Sequence, residues 1–508
     1  VTDRAYAILS FVLPLAAFVP CVPAFPAAWD TAEMQTAPYV LGIPHPTGFP
    51  VLMLAGWLFS HVFAFGTVAW RLNLFSAVAI AGTSSLVYRT ARLLGARGPA
   101  AVLGGLIFAL GDVVWSKATQ IDVHAFAIFW TALAVTLAIG YVKTGESRML
   151  YGAALANGFG LATHPNTIWT IPALAFVFVS GSRRSWRVAA AAAACLAAPL
   201  ALYAYLPLRS LAFAAAGGDP AETLPVPAGM PPFSIVWDTN QPRTPLGFLH
   251  EVLASNTGAP GALTALFHLF EYPAFAAYWW SAALPEFGVL AIVLAVAGAA
   301  VLLARNQRGA LALLVAGFCG VPYAVAYAPN EADVSRYFLA SFFVISVFAS
   351  LGPELVLEVV PAARGRLATA SGVLATLLLA TSAALLAYPH RDAVAAAHGG
   401  SGAQTAIEDA LHDTPSNAII LTAWYDATSL AYGEDVEGEL GDRIVVANGP
   451  DSLESVIPAW SRMRPVYVFS DWIIEPEIAP LPPGWVTERP NSDPQHHIYQ
   501  LCANARAC

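Results

Sequence analysis

The chain has 508 residues, 57% of them hydrophobic and only 11% charged, with a formal net charge of −9. A soluble globular domain carries about 25% charged residues, and the apolar excess here falls in long blocks such as the charge-free run Phe287–Ala304, too many to share one soluble core. The acidic balance argues against nucleic acid as a partner and against a polybasic membrane-surface role.

A run of about 20 apolar residues crosses a hydrocarbon core of about 30 Å. On that measure the chain reads as roughly eleven or twelve hydrophobic helices followed by a small water-soluble domain. The first span is expected at Tyr6–Pro26, retained rather than removed as a signal peptide, since no convincing cleavage site follows it. Residues 27–50 hold Trp29, Asp30, Glu33, His45 and several prolines, which argues for a shaped loop. Val51–Phe65 is apolar but short, in keeping with a re-entrant or interfacial helix. Further spans are expected near 70–90, 99–116, 122–142, 150–163, 166–180 and 187–207, with a polar break at His164 and Pro165. A long external segment, 209–286, contains a Gly/Pro-rich stretch and an amphipathic helix at Pro245–Ser255. Spans near 287–304, 309–327, 335–355 and 367–387 complete the membrane part.

After Pro389 the pattern changes. Ala403–His412 reads as a polar helix, and Asn417–Thr422, Arg443–Asn448 and Pro465–Ser470 read as short buried strands of a small α/β domain with a partly parallel sheet. The organisation expected is a transmembrane domain at 1–387, with external loops at 27–69 and 209–286, and a soluble domain at 388–508.

Basic residues recur in alternate gaps: Arg89, Arg92 and Arg97; Lys143 and Arg148; Arg183, Arg184 and Arg187; Arg305 and Arg308; Arg364 and Arg366. The positive-inside rule places these gaps in the cytoplasm and the remaining loops and the tail outside. Arg71 and Lys117 depart from the pattern. Cys21, Cys195 and Cys319 lie in apolar stretches and read as packing residues; Cys502 and Cys508 lie in the external tail, where a disulfide could persist.

The outward ends carry the chemistry. Asp30 and Glu33 follow the first span at a spacing that shares one face if the chain is helical there. Two carboxylates at a membrane boundary suit a general base, a metal site or a hydrogen-bonding site for substrate, although a pair of loop acids is more often solvated surface. His45 sits in the rigid stretch GIPHPTGFP, where it could contact a phosphate, orient a hydroxyl or cap a helix. Asp122, His124 and His164 belong to the same side; Asp122 alone could satisfy a helix N-terminus. Arg209 suits either snorkelling to the interface or a bidentate hold on phosphate. No nucleotide-binding fingerprint and no Cys/His zinc cluster is present.

WDTAEMQTAPYVLGIPHPTGFP (Trp29–Pro50) resembles the motif of bacterial membrane proteins related to the eukaryotic transmembrane protein O-mannosyltransferase, within the GT-C superfamily of polytopic glycosyltransferases. The resemblance continues in WSKATQIDVHAF (Trp115–Phe126), GLATHPN (Gly160–Asn166), YLPLRS (Tyr205–Ser210) and VWDTNQPRTPLGFLHEVL (Val236–Leu253). Departures are Thr47 in place of a second proline, His124 in place of tyrosine and Asp122 in place of glutamate. The resemblance implies a GT-C-like polytopic α-helical fold and an inverting transferase in the inner or plasma membrane. Its sugar would come from a polyprenyl-phosphate-linked donor and go to a protein or glycan acceptor on the extracytoplasmic face. It further implies Asp30 as general base, assisted by Glu33, with His45, Asp122, His124, His164, Arg209 and Arg243 toward donor phosphate or sugar, and no metal or other cofactor. Membrane lipids are the remaining partner. The rival classes are a transporter or flippase of a lipid-linked envelope precursor and a noncatalytic envelope assembly protein.

Overall fold

The computed structural model describes residues 2–181, 184–226, 237–255, 274–327, 333–359, 366–447, 453–469, 484–488 and 498–503. Arg183, Glu331, Arg364 and Cys508 lie outside the described residues. The helices run in order α1 Asp3–Phe18, α2 Trp29–Val40, α3 Pro50–Val62, α4 Val68–Leu94, α5 Gly98–Leu110, α6 Asp112–Thr119, α7 Val123–Thr144, α8 Ser147–Leu161, α9 Ile171–Val179, α10 Trp186–Ala197 and α11 Tyr205–Ala215. They continue as α12 Pro245–Leu253, α13 Ala274–Arg305, α14 Gln307–Phe318, α15 Val321–Tyr327, α16 Leu339–Val359, α17 Arg366–Ala387, α18 Ala393–Ala396, α19 Gly402–Asp413, α20 Trp424–Asp435 and α21 Leu453–Trp460.

Among the described residues, seven spans are long and apolar enough to cross a membrane, and eight if α5 and α6, bent by 73°, count as one. This is a multi-pass membrane protein. The count is below the eleven or twelve hydrophobic helices expected. α4 has the length, but Arg71, Asn73, Ser76, Thr83, Ser84 and Arg89 dilute its apolar character, and the chain from Ser147 to Val179 is broken by the 3₁₀ turn Pro165–Thr170.

The chain divides into two compact units. The first comprises residues 1–22, 73–203 and 254–397 and holds most of the spanning helices. Its tightest packing joins α13 to α16, where two glycines let backbones touch. A Cβ on Gly298 would lie 1.8 Å from the Phe348 carbonyl oxygen, and one on Gly352 would lie 2.5 Å from that of Leu294. Lipid offers no hydrophobic drive for helix association, so close backbone approach is what gains dispersion contact here.

The second unit comprises residues 23–72, 204–253 and 398–508. Its sheet has strands β1 Ile419–Thr422, β2 Ile444–Ala447, β3 Val466–Phe469, β4 Val486–Glu488 and β5 Ile498–Cys502, in the order β2-β1-β3-β5-β4. β1 pairs in parallel with β2 and β3, while β5 is antiparallel to β3 and β4. The strands expected from the apolar runs are all present. Their burial on both faces explains why they read as continuous rather than alternating apolar runs. Ile419, Leu421, Val446, Val456, Trp460, Val468 and Leu501 form the core of one face, joined by Ala221 and Leu224 from the 204–253 segment. Trp460 is fully buried and its indole N–H donates to the Pro225 carbonyl at 2.9 Å. Cys502 is disulfide-bonded.

Residues 27–50, expected as a shaped loop with a helical stretch at Asp30 and Glu33 left open, are half helix: α2 occupies Trp29–Val40. The prolines had obscured this. Pro38 sits late in α2, Pro44 and Pro46 follow its end, and Pro50 opens α3 at the position where a missing N–H costs nothing. α2 is held by the tail: α20 packs along it, Trp29 meets Tyr425 edge-on at 5.8 Å, and the Ser429 hydroxyl donates to the Ala27 carbonyl at 3.2 Å.

Trp460→Ala should cost about 3–5 kcal/mol, seen as a lower unfolding temperature of the purified protein. Trp186→Ala, at a side chain 75% exposed, should leave that temperature unchanged.

Candidate active site

The site in the second unit is built around α2. Asp30 lies in its first turn, half-exposed, where a carboxylate complements the helix dipole. Glu33 is completely buried. Its carboxylate accepts the His45 backbone N–H at 2.7 Å and binds the His45 ring through Nδ1. Asp30, Glu33 and His45 each place one donor atom within 4.8 Å of the others. Two carboxylate oxygens and an imidazole nitrogen are a set that a divalent cation such as zinc could use.

The loop carrying His45 is fixed at several points. Tyr205 donates to the Gly42 carbonyl at 2.7 Å, and the Ile43 N–H donates to the Trp237 carbonyl at 2.8 Å. Gly48 turns at φ +74°, where a Cβ would lie 2.6 Å from Leu206 and 3.1 Å from Glu251 Oε1, so both its conformation and its space require glycine. Glu251 comes from α12 and is fully buried; Asn240 donates to its Oε2 at 2.9 Å, while Oε1 is without a partner. The sequence reading passed over Glu251. Gly247 and Glu251, four apart, form the buried face of α12, the reverse of what its leucine spacing suggests.

Burial pushes the Glu251 carboxyl up to about 8. For His45, burial opposes the charged ring, but the neighbouring Glu33, Asp30 and Glu251 outweigh it and raise the imidazole to about 9. Glu33 is itself raised by burial, against the pull of His45.

Arg209 and Arg243 are both engaged with the protein itself. Arg209 donates to the Leu41 carbonyl at 2.6 Å and to the Val40 carbonyl at 2.9 Å, and its guanidinium stacks 4.3 Å from the Phe213 ring. The paired hydrogen bonds expected for a phosphate are thus spent on the orphan carbonyls at the C-terminus of α2. That end is about 15 Å along the helix axis from Asp30. Arg243 pairs with the buried Asp238 and reaches Ser210 at 3.3 Å.

The first unit holds the other predicted residues. Asp122 caps α7, accepting the His124 N–H at 2.7 Å and lying 2.9 Å from the His124 ring. Lys117 lies 2.9 Å from Asp122 and 2.6 Å from Asp333. His124 and His164 approach to 4.4 Å between ring centres, with Tyr337 beside both. The two cations that broke the charge pattern therefore have local reasons: Lys117 pairs with the partly buried Asp122, and Arg71 donates to the Ser60 carbonyl at 2.5 Å and the Thr67 carbonyl at 3.3 Å.

Residues 30–187 match the domain described as Protein O-mannosyl-transferase TMEM260 N-terminal domain. A relative named Protein O-mannosyl-transferase tmem260 from Dictyostelium discoideum is 22% identical over 176 residues, 31% of this chain and 22% of the relative. The mouse (Mus musculus) Protein O-mannosyl-transferase TMEM260 is 25% identical over 138 residues, 27% of this chain and 20% of the relative. Among solved structures, ArnT from Cupriavidus metallidurans bound to undecaprenyl phosphate superposes with a TM-score of 0.55 at 10% identity, covering 100% of this chain and 99% of that one. The chain has an ArnT-like GT-C fold, and its segment 30–187 is similar to the N-terminal domain of the TMEM260 proteins. Apo ArnT gives a TM-score of 0.57, again at 10% identity, over 98% of each chain. The match spans about a fifth of the length of these curated relatives. The resemblance drawn from Trp29–Pro50 holds, and that motif contains α2 and the His45 loop.

Glu251 and His45 both hold a proton more tightly folded than unfolded. The stability they contribute is complete below the unfolded values and is lost as pH rises, from 4.5 through about 8 for Glu251 and from 6.5 through about 9 for His45. The unfolding temperature should fall across these windows. Glu251→Gln should flatten the lower part and His45→Gln the upper; a flat wild-type profile would contradict the assignment.

Proposed function

We propose that this chain is an inverting glycosyltransferase. It moves a sugar from a polyprenyl-phosphate-linked donor to a protein or envelope glycan acceptor, at the extracytoplasmic face of the inner or plasma membrane. The observation that carries this reading is the cluster formed by Asp30 and Glu33 of α2 with His45 of the tightly held loop that follows, inside the segment that matches the TMEM260 domain. The ArnT fold, solved with undecaprenyl phosphate, supports a lipid-linked donor.

In this mechanism Asp30, the accessible acid of the three, takes the proton of the acceptor hydroxyl. The hydroxyl oxygen forms its bond to the sugar C1 from the face opposite the leaving group, and the C1–O bond to phosphate breaks with its electron pair leaving on the lipid phosphate. Glu33 is too deeply buried to meet substrate and acts as a positioning residue, holding the His45 loop by ring and backbone together. His45, held in its charged form by the surrounding carboxylates, is the cation beside Asp30 and is assigned to the departing phosphate. Asp122, His124 and His164 are assigned to donor sugar or phosphate, while Arg209 and Arg243 hold α2 and the 238–244 turn. The domain organisation proposed is a membrane part at 1–387 and an extracytoplasmic part at 388–508, with Glu251 added to the site.

Asp30→Asn should lower sugar transfer from a polyprenyl-phosphate sugar by about 10²–10⁴-fold, the usual contribution of a positioned base, with unfolding temperature unchanged. Full turnover in that variant would remove Asp30 from the base role. Movement of donor across vesicles without transfer would favour the transporter reading.

A further inference from the structure

The second unit holds a cavity of about 150 Å³ that the cluster on α2 does not use. Three stretches of chain wall it: the end of α11 with the turn after it, the pair Trp237 and Asp238 ahead of α12, and the tail's α20 with the start of β2. Gly217 and Gly218 take left-handed backbone, φ +111° and +73°, and so turn the chain from α11 to Asp219. A hole of this size takes a benzene ring, about six non-hydrogen atoms.

Its polar wall is acidic. Asp219, Asp238, Glu434 and Asp435 all line it. Burial first, and then the neighbouring Asp219, push the Glu434 carboxyl up to about 7, so these carboxylates crowd one another. The basic residues nearby have their donors committed. Arg443 gives its N–H groups to the Thr414 hydroxyl and to the carbonyls of Leu411, Thr414 and Leu440. Arg243 pairs with Asp238 through Oδ2. Asp238 Oδ1, on a side chain from a residue only 4% exposed, accepts no hydrogen bond among the described residues. A buried carboxylate oxygen in this state is costly until a donor reaches it, and the cavity is where a donor can enter.

The arrangement also selects the kind of cation. A metal ion draws its ligand atoms to within about 2–2.6 Å of one point. Among the described residues only Asp30, Glu33 and His45 converge in that way; the acids of this cavity do not. Carboxylates spread around a space for about six atoms, with the Trp237 and Phe213 rings in its wall, suit an ammonium on a short carbon chain. Its N–H groups reach the separate oxygens, and its chain lies against the rings.

We infer that this cavity binds an alkylammonium group, either the side chain of a lysine or a free amine of similar length. Asp238 Oδ1 is its most buried acceptor, and Glu434 and Asp435, in the last turn of α20, flank the more open end. Resting on the transferase reading, such a lysine belongs to the acceptor polypeptide. The Trp237 carbonyl accepts the Ile43 N–H, so an acceptor anchored here touches the segment that ties down the His45 loop.

The test is saturation-transfer NMR on the full-length protein in phosphatidylcholine nanodiscs, with empty nanodiscs as the blank. n-Butylammonium should bind, and n-butanol, equally long but uncharged, should bind about tenfold more weakly. Glu434→Gln combined with Asp435→Asn should weaken n-butylammonium by a similar factor and leave n-butanol unchanged. The comparison of the two probes on the wild type stands should that double variant fail to fold. N-acetyl-lysine methylamide binding as well as n-butylammonium would trace the site to a polypeptide side chain, and binding of the amine alone would trace it to a free amine; either result upholds the site. Equal binding of the charged and uncharged probes would overturn the inference, as would a folded double variant that binds n-butylammonium like the wild type. Displacement of n-butylammonium by an equal concentration of Mn²⁺ would also overturn it, since the cavity would then be a metal site. The readout needs no sugar transfer, so its failure is separate from failure of the transferase reading.

Discussion

The arrangement of the second unit depends on one buried pair, Glu33 with His45. A carboxylate with no access to water is costly unless its oxygens are satisfied, and here both are used on the same residue, one on the backbone N–H and one on the ring. This double attachment folds the chain after α2 back upon the helix. The Glu33 side chain thereby fixes the direction of the imidazole and its distance from Asp30. Rigid neighbours complete the work: Pro44, Pro46 and Gly48 limit the loop's alternatives, and Tyr205 and Trp237 bind its start.

The tail gains a role from the same geometry. Its sheet is closed by Ala221 and Leu224 from the middle of the chain, and its α20 packs along α2. Three segments far apart in sequence thus cooperate to hold one short acidic helix. A helix of twelve residues is marginal alone, and Arg209 on its final carbonyls together with α20 along its side supplies what its own hydrogen bonds do not.

Much of this was legible in the sequence. Long apolar blocks gave the membrane class, the β-branched runs at Ile419, Ile444 and Val466 gave the strands, and the Asp30, Glu33 and His45 motif gave the cluster. What escaped was tertiary. Pro38 concealed a helix that tolerates proline near its end. The hold of Arg209 on the carbonyls that end α2 was hidden because a guanidinium that caps carbonyls and one that grips an anion have the same side chain. Glu251 was hidden because its importance comes from facing inward on a helix whose leucines face out, and periodicity alone assigns those faces the other way. The shortfall in spans has a similar cause, since α4 carries polar residues that only packing accounts for.

The most direct test of the central claim is a structure of the protein in lipid with a polyprenyl-phosphate sugar bound. The account predicts the sugar C1 beside the Asp30 carboxylate, with phosphate toward His45. A donor whose phosphate sits on Arg209, at the far end of α2, would contradict it.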